Sequence, residues 1–208
     1  MTKQELYRLT HKQNNDIQNS GIKFGGGAFW QNNWPKNPLG EDLALLLTID
    51  TNKLNNLIDY INLPKDKFLS IFSTYNPQRY FLDDIVFFGD EKELNYIKSG
   101  FTRVTISNQD ILKKHNNIFE SKDMKIEKTE IEESSFPSFS LVSKKYPKGL
   151  SGCKALEDEY RFICQVYSRD LPPYDGSALY LSDAIGYLFL RKNIIDENDA
   201  GIFFVQTA

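Results

Sequence analysis

The chain has 208 residues, with 25 Lys plus Arg against 28 Asp plus Glu, a formal net charge of −3, and 40% hydrophobic and 13% aromatic residues. These values exclude a collagen-like repeat, a coiled coil and intrinsic disorder, and a chain of this length buries about 70% of its extended surface, enough for one domain without metal or disulfide. Residues 1–104 carry 12 charges of each sign and residues 105–208 carry 13 basic and 16 acidic, so the excess is acidic and late, and no basic stripe invites nucleic acid.

In chain order, Thr2 and Glu5 form a capping-box pattern, and Leu6, Leu9, Gln13 and Ile17 fall on one stripe, which predicts an N-terminal amphipathic helix over 2–19. Residues 21–40 are dense in Gly, Pro, Asn and aromatics and predict a tight loop. Leu43 to Ile49 reads as a buried strand, and Thr51 caps a short helix that ends at Pro64. Residues 68–74, 79–88 and 101–107 have strand composition, with a helical turn capped by Asp90 and Glu93 between the last two. KIEKTEIEE (125–133) reads as a half-exposed or edge strand with Glu127, Glu130, Glu132 and Glu133 on its polar side. A loop over 134–152 precedes strands at 160–167, 179–181, 186–190 and 202–206. Strands outnumber helices, so the class is α+β or mainly β, and the reading adopted is α+β.

The segment LALLLTIDTNKL (43–54) overlays YRFICQVYSRDL (160–171) without a gap, pairing Leu45 with Phe162, Leu46 with Ile163 and Ile49 with Val166, and KFGG (23–26) is set against KKYP (144–147). One domain over 1–208 is expected, with two pseudo-symmetric strand-rich halves (about 20–107 and about 136–208) sharing a mixed or antiparallel sheet and joined by a connector at about 108–135.

No apolar run reaches the roughly 18 residues of a membrane helix. Met1 to Asn19 is polar throughout, so a cytoplasmic address with no membrane partner is expected. Cys153 and Cys164 have no CxxC spacing and read as buried free thiols; His11 and His115 are too few for a histidine metal site, and no metal or cofactor is expected. FGGG lacks the spacing of a P-loop or a dinucleotide fold, so a tight loop is favoured over an anion site. Trp30, Trp34, Phe24 and Phe29 stack a ring ligand, form an interface or anchor the loop, the last being favoured. Asp83-Asp84, on opposite faces of a strand, and Glu157-Asp158-Glu159 read as solvated surface, and DGSALYLSD (175–183) as a turn. There is no GxSxG and no recognisable Cys–His pairing, so no enzyme activity is expected.

A Phe-Gly-Gly loop, then Trp-Pro, then Gly, then a hydrophobic strand closing on Ile-Asp resembles the YwqG-like family of bacterial domains of unknown function. The resemblance covers roughly residues 20–206 and falls on Phe24, Gly25, Gly26, Trp34, Pro35 and Gly40, on Leu43, Leu46, Ile49 and Asp50, and on Gln165 in the second copy. Thr48 departs from it, standing where the family's first strand usually carries Gln, and so do Gly27, Ala28 and Phe29, where a Pro is common. The resemblance implies an α+β fold of two pseudo-symmetric halves and, through members associated with polymorphic toxins, an immunity role. The expected function is therefore a non-catalytic immunity protein, monomeric until it forms a heterodimer with a cognate toxin, with Glu127, Glu130, Glu132 and Glu133 as its contact residues. The alternative is a small-ligand-binding or regulatory domain using the cleft between the halves, lined by Trp30, Trp34 and Tyr residues. A hydrolase using the paired acids ranks third.

Overall fold

A computed structural model describes residues 2–13, 16–29, 33–108, 112–113, 119–170 and 184–207. Its strands are β1 (Lys3–His11), β2 (Ile22–Phe24), β3 (Ala28–Phe29), β4 (Ala44–Asp50), β5 (Phe68–Ser73), β6 (Thr102–Ser107), β7 (Leu112–Lys113), β8 (Lys122–Glu132), β9 (Leu141–Val142), β10 (Tyr160–Tyr167), β11 (Ala184–Arg191) and β12 (Gly201–Thr207). Among the described residues the helices are α1 (Thr51–Leu57), α2 (Glu91–Tyr96) and single turns. Ten strands close a barrel in the order β1-β8-β2-β4-β5-β6-β12-β11-β10-β9, and β3 pairs with β7 apart from it.

The closed antiparallel barrel corrects the α+β expectation. Apolar runs bounded by turn residues look alike in an open sheet and in a barrel, and closure depends on pairing that periodicity does not report. Of the two strands that close it, β1 lies in a segment read as a helix, and β8 in one read as a connector that holds, over 125–133, a half-exposed or edge strand. Residues 3–11 are strand, where a helix over 2–19 was expected. Leu6 and Leu9, three apart, point to opposite faces of β1: Leu9 enters the barrel core and Leu6 joins a second core outside the wall. A strand buried on alternate faces in this way imitates a helical stripe. Ile17, placed on the same stripe, is exposed. The expected connector at 108–135 holds β8, an 11-residue strand paired with β1 along nine positions and with β2 at Asp123 and Lys122, so it is no edge. Residues 79–88 form turns around Leu82–Asp84 instead of a strand, and strand 179–181 lies outside the described residues.

The pairing has two-fold symmetry of connectivity. Exchanging β1, β2, β4, β5 and β6 for β8, β9, β10, β11 and β12 turns β2–β4 into β9–β10, β4–β5 into β10–β11, β5–β6 into β11–β12 and β8–β2 into β1–β9, and leaves β1–β8 and β6–β12 as they are. Both β4 and β10 shift register at the same place, between Leu45 and Leu47 and between Phe162 and Cys164. Phe24 lies opposite Leu47 as Val142 lies opposite Cys164, so the structural partner of KFGG is LVSK (141–144), not KKYP.

The barrel interior is filled by Phe24, Leu47, Ile49, Ile71, Leu188 and Val205 with their neighbours. Outside the wall of β10–β12, Phe162, Tyr187, Phe189 and Phe204 pack beneath Phe87, Cys153 and Leu156. A smaller outer cluster lies on β4 and β5, where Leu43, Leu45 and Phe72 meet Trp34.

Candidate functional site

The first meander is β4–β6 and its counterpart, the second, is β10–β12; between β2 and β4 the chain crosses the outer face of the first, and the glycine loop opens that crossing. Gly25 and Gly26 have φ of +62° and +83°, a region L side chains rarely occupy. A Cβ on Gly25 would lie 2.8 Å from the Phe119 Cβ, and one on Gly26 2.8 Å from the Ser121 Cβ. Residues 119–121 therefore run against the loop, and Gly26 N–H donates to the Phe119 carbonyl at 3.3 Å while Gly25 N–H donates to that of Leu46 at 3.0 Å.

Beneath this junction is a cavity of about 820 Å³. Phe29, Phe68 and Phe119 supply its apolar side, with the Phe29 and Phe68 ring centroids 4.3 Å apart. Its polar side holds two ion pairs, Lys23 with Asp123 at 3.4 Å and Lys53 with Asp50 at 3.3 Å. Asp50 also caps α1 by accepting from the Lys53 N–H at 3.1 Å. Glu120 and Ser121 complete the rim.

Thr48 stands in the wall, 5% exposed, and its Oγ1 has no hydrogen-bond partner. Directly across the strands from it are Ser70 and then Thr105, both fully buried and both with unpartnered hydroxyls. A buried hydroxyl without a partner costs about 1–3 kcal/mol, so three in a row are an unusual feature of a folded core. The corresponding row of the second meander is Gln165, Tyr187 and Phe204. There the Gln165 side-chain amide donates to the Pro137 and Phe139 carbonyls at 2.7 and 2.9 Å, and Tyr187 and Phe204 are packed into the second core.

The residues singled out by sequence divide accordingly. Gly26 and Asp50 line the cavity and Gly25 shapes its roof. Phe24 is buried in the barrel, Pro35 accepts from the Leu43 N–H at 2.9 Å, and Gly40 (φ +83°) closes an exposed turn. Trp34 packs edge-on to Phe72 at 5.3 Å and donates its Nε1–H to the Leu43 carbonyl at 2.7 Å. Gln165 holds the entry to β9. The acids of β8 lie elsewhere, on the outer faces of the β1–β8 ribbon, and lysines already neutralise three of them: Glu127 pairs with Lys125 at 3.0 Å, Glu130 with Lys3 at 3.1 Å and Glu133 with Lys145 at 3.9 Å. Glu132 makes no ion pair among the described residues. Trp30, His115 and 175–183 lie outside the described residues. Thr48, Lys23, Lys53, Phe68 and the 119–123 segment were not foreseen as site residues; the available signal was a lone hydroxyl inside LALLLTID, at a position where the resemblance asks for Gln.

Other candidate chemistry is occupied or quenched. Asp84 is 2.6 Å from the Arg79 guanidinium, which also grips Glu41 in a two-point contact at 2.7 and 2.8 Å. Burial pushes the Cys153 and Cys164 thiols up to about 12, far from a thiolate at neutral pH. No group of three or more His, Cys, Asp or Glu that could hold a metal occurs among the described residues, and no helix among them is long and apolar enough to cross a membrane. Comparison with protein-family models, with curated proteins and with solved structures finds no match to this chain.

Proposed function

We propose that this chain is a non-catalytic binding domain and that the cavity under the glycine loop is its ligand site. The observation that carries the reading is the cavity itself, which opens beside Thr48 where the second meander has the longer Gln165. Gln165 is long enough to bond the chain above it, whereas the shorter Thr48, its hydroxyl buried, leaves a volume for an added molecule. The cavity is of the size used for small organic ligands, about 300–1,000 Å³, and combines an aromatic side with a few placed polar groups. Thr48→Gln tests this by restoring the longer side chain. A fragment set screened by amide chemical shifts is expected to move Gly26, Gly27 and Ser121 in the native chain and to leave them still in the variant, with the melting temperature retained. Equal binding by both chains would refute the site.

A second reading, an immunity protein that binds a cognate toxin, rests on the family resemblance and on the exposed β1–β8 ribbon, where Glu132 is unpaired. The lysine pairing of its neighbours lowers the field that would steer a basic partner. If this reading holds, Glu130→Lys with Glu132→Lys slows association with the toxin and weakens protection on co-expression; full protection with unchanged kinetics removes the ribbon from the interface.

A further inference from the structure

We propose that the ligand of the glycine-loop cavity is a small organic ammonium, an amine carrying an apolar or aromatic body. The inference rests on the cavity being the ligand site and adds the charge of what enters it. Among the described residues two lysines line it, Lys23 and Lys53, against three acids, Asp50, Glu120 and Asp123, which leaves one negative charge in excess. Both lysines are already held, at 3.4 Å by Asp123 and at 3.3 Å by Asp50. An anion entering here would have to take a lysine from its carboxylate. Glu120 is the charge left over: it makes no ion pair among the described residues.

The apolar side has the same preference. Phe29 and Phe68 meet at 4.3 Å with their planes tilted by 49°, forming a corner of two ring faces and edges beside the acidic rim. Ring faces attract a cation within about 6 Å of the centroid and repel an anion. They also bury the hydrocarbon part of the molecule. The rim carboxylate of Glu120 supplies an acceptor for the ammonium N–H. A neutral molecule would use the rings and leave the Glu120 charge without a role.

The test compares three probes of one shape on the full chain: phenethylamine, 2-phenylethanol and 3-phenylpropanoate, followed by amide chemical shifts. Phenethylamine is expected to shift Gly26, Gly27, Thr48 and Ser121 and to bind about tenfold more tightly than the propanoate, with the alcohol between them. Glu120→Gln, an exposed substitution, is expected to shrink that gap severalfold. Propanoate or alcohol binding as tightly as the amine overturns the ammonium assignment and leaves the cavity as a ligand site, and so does a Glu120→Gln chain that keeps the full preference. Shifts at none of these residues with any probe overturn the site itself.

Discussion

The two meanders share strand order, register and bulge position, yet one carries a packed core on its outer face and the other a cavity. On β10–β12 the central row is Gln165, Tyr187 and Phe204, overlaid by Phe87, Cys153 and Leu156. On β4–β6 the same row is Thr48, Ser70 and Thr105; Ser70 and Thr105 are fully buried, and at Thr48 the chain above stands off to leave about 820 Å³. The backbone plan is common to both, so side-chain volume at one matched position, Thr48 against Gln165, separates a wall that is filled from a wall with room for a ligand. Buried hydroxyls without partners destabilise, and the first meander carries three of them where the second carries a hydrogen-bonded Gln165 and two packed rings.

The largest test of that contrast exchanges chemistry at a matched pair. Phe204 is fully buried and stacks on Phe189 with centroids 5.7 Å apart. Phe204→Ala is expected to cost about 3–5 kcal/mol in denaturant unfolding, through lost burial and the cavity left behind. Thr105→Val, at the equivalent place, removes an unpartnered hydroxyl at nearly constant volume and is expected to be neutral or to stabilise by up to about 1 kcal/mol. If the valine variant loses stability on the scale of the alanine one, the Thr105 hydroxyl is bonded in solution and the two rows are not different in kind.

Much of this contrast was within reach of the sequence. The gapless overlay of 43–54 on 160–171 places Leu45, at the β4 register shift, on Phe162, at that of β10, and it places Thr48 on Gln165. What single-sequence periodicity misjudged was β1, whose Leu6 and Leu9 serve two cores; β8 was legible as a half-exposed strand over 125–133, and only its place between β1 and β2 was not. The cavity was hidden for a different reason. It is made by residues 119–123 meeting the glycine loop, a contact across nearly a hundred positions that no local pattern encodes, and Gly25 and Gly26 show it only once the atoms facing them are known.

That meeting gives the second test, of intermediate size. Gly26→Val puts a branched side chain at φ +83° and within 2.8 Å of the Ser121 Cβ. It is expected to cost about 1–3 kcal/mol from backbone strain, with the loss of probe binding in the cavity exceeding what the stability change accounts for. The exposed turn at Gly40 also has φ +83°, but no heavy atom lies within 4 Å of its Cβ position, so Gly40→Val carries strain alone and leaves the cavity intact. Equal effects of the two variants on probe binding would show that the 119–121 contact does not shape the cavity.

The smallest expected effect concerns how each covering segment is fastened. The second meander's cover is held by apolar contacts and by neutral hydrogen bonds, such as those the Gln206 amide donates to the Phe87 and Ser151 carbonyls at 2.7 and 2.8 Å, whereas the turn at 37–41 on the first is clamped by charge: Glu41 receives Arg79 in its two-point contact, and Asn37 and Asn76 donate to the same carboxylate at 2.6 and 2.7 Å. The hydrogen bonds from Arg79 foremost hold the Glu41 carboxyl down at about 2, against 4.5 for an ordinary glutamate. A carboxylate with a depressed folded-state pKa stabilises fully above its unfolded value and loses that contribution as pH falls toward the folded one. The contribution is therefore complete above about pH 5 and fades between about pH 4.5 and 2. Glu41 and Arg79 side chains are 24% and 27% exposed, so solvent screening reduces the effect to about 1 kcal/mol. The measurement is the difference in unfolding free energy between the native chain and Glu41→Gln, taken from pH 7 down to pH 2.5. It should shrink toward zero across that window, while Leu156→Ala, in the apolar cover, should show a pH-independent loss. A Glu41→Gln difference that stays constant with pH would mean that the first cover, like the second, is held by uncharged contacts.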